Sequence, residues 1–273
     1  MKSETAEKIL LWAGALAMAL FCLVPFLYMF AVSLSGRPDQ IGAGGFTPAN
    51  YAAVLGTHSL HFLDYLRNSL IVSALSAVIT VLIASLAAYA ITRLEMKGKA
   101  LVLFFVLAVS MFPQVSLIGY LFKLISGLGL INTYAALVAP YVAWILPLSL
   151  WILVSYFDQI PRELDRAAIV DGCSPAQVLY KVILPVALPG VLSTALLSFI
   201  FAFNEFIFAL ILTTDHAART IPVGIAMFQG LHGEIPWGNI MAASAVATAP
   251  IMLLTAVFQR HIIQGLTRGA VKG

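Results

Sequence analysis

The sequence predicts an all-α membrane protein of six transmembrane helices. Of its 273 residues, 61% are apolar and only 10% charged. Mean hydropathy is +0.98, and apolar runs of about twenty residues recur, each long enough to cross ~30 Å of hydrocarbon. One polytopic membrane domain, 1–273, accounts for the length.

The six spans are drawn at 9–33, 69–92, 100–123, 134–156, 190–212 and 240–258. The first follows Lys2 and Lys8, as a signal peptide would, but it exceeds the usual ~7 to 15 residue signal core and no small-x-small cleavage site closes it. It is read as an uncleaved helix. Asn68 is placed to cap the second span, and Asn132 with Thr133 the fourth, just after the breaker Gly127-Leu128-Gly129. Pro113, Pro140 and Pro147 fall inside spans, where each removes a backbone donor and tends to kink a helix. Between the first two spans, Thr47-Pro48 announces a short interfacial helix near Tyr51 and Leu55.

An even number of spans puts both termini on one side. Assigned to the cytoplasm, the inner segments hold eleven of the fifteen Lys and Arg residues; Arg37, Arg67, Lys123 and Arg219 remain outside or at outer helix ends. The positive-inside rule selects that orientation. The net charge of +3 does not point to nucleic acid, because no Lys/Arg stripe with interleaved aromatics is present. Cys22 and Cys173 are isolated, with no metal-ligand spacing, and are read as apolar fillers. His58, His61, His216, His232 and His261 lie in loops or at a helix end and are assigned no role.

The segment 157–189 is far more polar than its flanks and too long for a turn. Pro161 opens a helix through Glu163, Leu164, Ala167, Ala168 and Val170; Asp171-Gly172 ends it with a residue able to take positive φ. Ser174-Pro175 then starts a second helix, which pairs Val178 with Val182 and Leu179 with Ile183 at four-residue spacing. The expectation is an elbow of two short helices that exposes apolar groups for docking. An interfacial helix lying on the membrane is the competing reading, and it asks for a larger apolar face.

Within this elbow, Arg166-Ala167-Ala168-Ile169-Val170-Asp171-Gly172, nine residues, then Val182-Ile183-Leu184-Pro185, resembles the E-A-A-x-x-x-G, nine residues, I-x-L-P signature of bacterial ABC importer permeases. Arg166 stands where Glu is usual, and Val182 where Ile is. The resemblance extends over nearly the whole chain. It includes Asn50-Tyr51, Asn68-Ser69, Met111-Phe112-Pro113, Asn204-Glu205-Phe206, Thr220-Ile221-Pro222-Val223 and the ending Gly265-Leu266-Thr267-Arg268-Gly269-Ala270-Val271-Lys272-Gly273. It points to the carbohydrate-uptake class that includes the smaller maltose-transporter permease. Phe203 takes the place of a Trp common before the Asn-Glu pair.

The resemblance implies a type I ABC importer permease fold. The 157–189 loop would be the coupling element seated on an ATPase subunit, with Asp165, Arg166, Ala167, Ala168, Asp171, Gly172, Leu184 and Pro185 as its coupling residues. Asp165 or Glu163 would supply the carboxylate that Arg166 has replaced. The 259–273 tail would contact the ATPase dimer through Gly269, Ala270, Val271, Lys272 and Gly273. The implied partners are a second homologous permease, a dimer of nucleotide-binding ATPase subunits, an extracytoplasmic solute-binding protein and the lipid of a bacterial inner membrane. The implied mechanism is alternating access.

No G-x-x-x-x-G-K-[ST] phosphate loop occurs: Gly98-Lys99 is followed by Ala100, and Arg93 stands where the earlier glycine belongs. The chain is therefore expected to carry no catalytic site, metal or cofactor of its own, leaving ATP and Mg to the partner ATPases. Gln114, Tyr141, Trp144, Asn204 and Glu205 are candidate substrate-path residues, since aromatic faces stack on sugar rings and polar groups bond hydroxyls. Glu205 falls about 6 Å past the middle of its span at 1.5 Å per residue. A carboxylate there must meet a partner, water or substrate, so it either lines the path or bonds a neighbouring helix. The alternative function is an ion-coupled secondary transporter. Such carriers keep several intramembrane ionisable groups and repeated halves with broken helices, whereas only Glu205 lies well inside a span here.

Overall fold

The structure is a computed structural model, and it describes residues 2–37, 45–57, 60–94, 96–228 and 235–270. In chain order the helices are α1 (Lys2–Ser33), α2 (Ala49–Gly56), α3 (Phe62–Arg93), α4 (Lys99–Ser110), α5 (Gln114–Gly127) and α6 (Tyr134–Asp158). They continue as α7 (Arg162–Val170), α8 (Pro175–Val178), α9 (Leu184–Val186), α10 (Leu188–Phe203), α11 (Ile207–Leu212), α12 (Ile221–Ala226) and α13 (Trp237–Ala270). A five-residue π-helical turn, Leu179–Ile183, joins α8 to α9.

Among the described residues, four helical segments are long and apolar enough to cross a membrane: Glu7–Ser33, Phe62–Arg93, Tyr134–Asp158 and Trp237–Gln259. Counted as one span each, two bent pairs bring the number up to six. The third predicted span, 100–123, is one of them, because α4 and α5 meet at 86°. Pro113 is the cause: it lacks an N–H, and the chain ahead of it tightens into i−3 bonds from Met111 to Ala108 O and from Phe112 to Val109 O. Pro140 and Pro147, by contrast, are absorbed within the continuous α6. The other pair is Pro175–Val186 with Leu188–Phe203, bent by 82°.

Three boundaries depart from the sequence reading. Helix α3 begins at Phe62 rather than at 69, so Asn68 lies inside it instead of capping it. The predicted fifth span, 190–212, is split, with α10 ending at Phe203 and α11 starting at Ile207. Helix α13 runs on to Ala270, which makes much of the 259–273 tail helical. Val271, Lys272 and Gly273 lie outside the described residues.

Packing divides the chain into two compact units. The first comprises Met1–Phe62 with Ile225–Ala249. In it Asn50 donates to Ser33 O at 2.9 Å and Ser35 O at 3.1 Å, and the Tyr51 and Ser33 hydroxyls share a 2.8 Å hydrogen bond. The Asn50-Tyr51 pair thus ties α2 to the end of α1. Gly238 leaves room for this: a Cβ there would fall 2.6 Å from Asn50 Oδ1.

The second unit comprises Leu63–Gly224 and Pro250–Gly273. One apolar cluster gathers Ala84, Ala88 and Ile91 of α3 with Leu150, Leu153 and Phe157 of α6, and takes in Ala168, Val178, Leu179 and Ile183 from the loop. A second gathers Val72, Leu137, Tyr141, Phe208, Leu212 and Val223. Helices α6 and α10 add a buried 3.0 Å hydrogen bond between the Ser149 and Ser198 hydroxyls, the kind of polar link that joins helices inside a bilayer.

Candidate coupling surface and interior polar cluster

The elbow forms around a helix stop. Asp171 N–H bonds Ala167 O, Gly172 N–H bonds Ile169 O and Cys173 N–H bonds Ala168 O at 2.9 Å, which ends α7. Gly172 takes φ +83°, a left-handed conformation in which a Cβ is disfavoured. Ser174 then opens α8 with a capping box, its Oγ accepting from Gln177 N–H while the Gln177 side chain accepts from Ser174 N–H at 2.8 Å. The second helix expected from four-residue spacing is α-helical only through Val178, and the π turn follows.

The elbow has two faces. Ala168, Val178, Leu179 and Ile183 are buried in the helix cluster. On the other face Ile169 is 58% exposed, Val170 86% and Tyr180 54%. Arg166, Ala167, Asp171, Gly172 and Pro185 are also exposed, and Leu184 is half-buried.

Asp165 belongs to the inner face. Its Oδ2 lies 3.2 Å from Arg93 Nε, in an ion pair whose side chains are 15% and 5% exposed. Burial raises the Asp165 carboxyl above its ordinary range, a shift that Arg93 and then Arg162 oppose. Of the two carboxylates expected to stand in for the missing Glu, Asp165 is committed inward and Glu163 is the exposed one. Arg93 was not among the candidates; its only sequence signal is a basic residue ending a span.

A second polar group lies at the break between α10 and α11. Asn204 donates to Ile200 O at 2.8 Å, back along α10. Glu205 accepts from Phe208 N–H at 2.8 Å through Oε1 and from Ala209 N–H at 3.2 Å through Oε2, capping α11. Two polar side chains thus satisfy the backbone where the helix is interrupted, with no proline or glycine at the break. Glu205 is not mid-helix, as its predicted span would have it.

The fully buried Tyr141 packs against Phe208, with ring centroids 6.4 Å apart and the rings tilted by 35°. Its hydroxyl approaches the Glu205 carboxylate and the Thr220 hydroxyl without reaching hydrogen-bond geometry to any described residue. Trp144, one turn on, lines an apolar groove of about 530 Å³ with Phe112, Tyr120, Pro147 and Phe208, in the angle of the α4–α5 bend. The fold therefore brings Tyr141, Trp144 and Glu205 to one region. Asn204 is exposed beside them. Gln114, half-buried at the start of α5, does not line that groove.

The segment after α11 is held by two asparagines. Asn132, at φ +61°, accepts from Thr214 and Asp215 N–H through Oδ1 and donates to Asp215 Oδ1 at 2.8 Å; Thr133 alone caps α6. Asn68 donates to His216 O at 2.9 Å and Arg219 O at 3.0 Å, and accepts from the Tyr134 hydroxyl at 2.6 Å.

Residues 80–268 match the binding-protein-dependent transport system inner membrane component family, and the chain belongs to that family. Over the full length of both chains it is 55% identical to the trehalose/maltose transport system permease protein MalG of Thermococcus litoralis. It is 42% identical to the sulfoquinovosyl glycerol transport system permease protein SmoH of Agrobacterium fabrum, over 83% of this chain and 79% of that one. It is 38% identical to the trehalose transport system permease protein SugB of Mycobacterium tuberculosis, over 93% of each. The fold matches a crystal structure of a bacterial ABC transporter involved in import of the acidic polysaccharide alginate, with a TM-score of 0.80 at 19% identity over 95% of this chain and 98% of that chain. The chain is thus an integral membrane permease of an ABC import system, and the secondary-transporter alternative falls.

Proposed function

We propose that this chain pairs with a second permease to form the path of a sugar importer, driven by two ATPase subunits docked at the elbow and supplied by an external solute-binding protein. The observation that carries the reading is the two-faced elbow: one face is packed into the helix cluster, the other leaves Ile169 and Val170 uncovered beside a left-handed Gly172. A surface of that kind excludes water only when a partner covers it. The sequence contains no phosphate loop, which supports a reading in which the partner ATPases hold ATP and Mg. The distribution of Lys and Arg supports an orientation with both termini and the elbow in the cytoplasm. In that frame the 259–273 tail runs toward the ATPases.

The substrate class is a di- or oligosaccharide. The relatives' trehalose and maltose support it, as does an aromatic groove ending at Trp144 beside Tyr141 and Glu205.

Reconstitution tests the reading. Proteoliposomes holding the chain, its companion permease, the ATPase and the binding protein should accumulate labelled trehalose or maltose only with ATP inside. Uptake driven by an ion gradient without ATP would refute it.

A further inference from the structure

Helix α3 is gripped by side-chain hydrogen bonds at both ends, each reaching chain segments distant in sequence. At one end Arg93, its last residue, donates through Nη2 to Phe157 O at 2.9 Å and Ile160 O at 2.8 Å, where α6 gives way to the elbow. The same guanidinium pairs with Asp165 of α7. Arg162 of α7 answers by donating to Thr92 O at 3.1 Å. At the other end Asn68 holds His216 O and Arg219 O, and Ser69 Oγ accepts the Ile221 N–H at 2.7 Å.

The helix between is stiff. It contains no proline or glycine, and from Asn68 to Arg93 it spans about 37 Å at 1.5 Å per residue, enough to cross the hydrocarbon. Of the contacts that Arg93 itself makes, the two carbonyl bonds are the well-directed ones. Arg93 Nε and Asp165 Oδ1 are buried without a hydrogen-bond partner among the described residues, so the ion pair adds attraction without fixing an angle. Arg93 thus holds the end of α6 and the first residues of the elbow firmly and Asp165 loosely in direction, while the Arg162–Thr92 bond ties α7 to the same end of α3, so a displaced α7 stays attached to α3.

We infer that Arg93 is the positioning residue through which displacement of α7 enters the membrane, with α3 as the strut that carries it to the 213–221 segment on the far side. The inference rests on the reading of the elbow as the ATPase-docking element. Arg93 touches neither substrate nor nucleotide; it acts through α7 and α3.

The test uses the full reconstituted complex, with Cys22 and Cys173 replaced by Ala and a single cysteine introduced by Ala217→Cys, an exposed position in the far segment. Its labelling rate by an impermeant maleimide is read with and without ATP, beside sugar transported per ATP hydrolysed and the amount of ATPase that co-purifies. Arg93→Gln should keep ATPase binding, abolish the ATP-dependent change in labelling and lower transport per ATP about tenfold, within the usual range of site-to-site coupling. Arg93→Lys should recover only part, since an ammonium lacks the planar fork. Asp165→Asn, which spares the carbonyl bonds and serves if Arg93→Gln does not accumulate, should give a partial loss.

Wild-type labelling changes and transport per ATP in Arg93→Gln, or in Asp165→Asn alone where Arg93→Gln is not obtained, would overturn the inference. So would loss of ATPase binding in Arg93→Gln, which would make the grip a mere support for docking. Should the unsubstituted complex itself show no ATP-dependent transport, the docking reading fails instead.

Discussion

The Glu205 carboxylate accepts the Phe208 backbone N–H at 2.8 Å, so the acid that sequence places inside a span is the side chain that starts a new helix within it. The second oxygen takes Ala209 N–H. Glu205→Ala should therefore destabilise the chain by about 1 kcal/mol, the usual loss on removing a side-chain helix cap. Glu205→Gln keeps one acceptor oxygen and should fall between. Thermal unfolding in detergent reads the order, and sugar affinity of the same variants separates capping from a direct substrate contact. Equal melting of Glu205→Ala and wild type would remove the capping role.

Gly190 lies against the ring of Tyr156, so that a Cβ there would stand 2.5 Å from two ring atoms. This closeness lets α10 leave the loop flush against α6. Gly190→Ala should lower stability by about 1 to 3 kcal/mol, the typical penalty for overpacking. Adding Tyr156→Ala in the same chain should return part of that loss. Strictly additive effects in unfolding measurements would show that the two residues do not meet.

At Gly172 the surrounding space is open, with nothing within 4 Å of the point an added Cβ would occupy, and only the backbone angle resists substitution. Gly172→Ala should cost roughly 1 to 2 kcal/mol at the elbow, and Gly172→Asn less, because asparagine visits the left-handed region more readily. Gly172→Asp adds an anion on the exposed face and should leave insertion intact while lowering transport per ATP the most. Transport at wild-type levels in all three would make Gly172 an ordinary loop glycine.

Asp215 lies in an exposed turn, where the Ala217 backbone N–H and then the Asn132 amide stabilise its ionised form and lower its pKa. A carboxyl lowered on folding adds stability above its unfolded pKa, and that contribution is lost as pH falls through the folded value. The turn should therefore loosen only in acid, below the ordinary carboxylate range. Asp215→Asn should remove that acid step. Hydrogen exchange of residues 213–218 against pH checks it, and an identical acid profile in the variant would contradict the assignment.

By itself the sequence determined the solvent, the four continuous spans and the elbow. Twenty-residue apolar runs have one economical solution in lipid, and Asp171-Gly172 with Ser174-Pro175 spells a stop and a start that local backbone chemistry enforces. The matched loop spacing was enough to indicate the family. Tertiary structure alone decided where the long runs break and which polar groups face inward. Pro113 bends its span by 86° while Pro140 and Pro147 leave α6 continuous, a difference no local rule separates. The break at Asn204-Glu205-Phe206 depends on a side chain turning back to cap the backbone, and hydropathy does not register that. Asp165 and Glu163 are equivalent as letters. Only the arrival of Arg93, seventy-two positions before Asp165 in the chain, makes one an anchor and leaves the other exposed. Contacts between distant segments depend on how the helices pack, and a pattern read a few residues at a time carries no record of them.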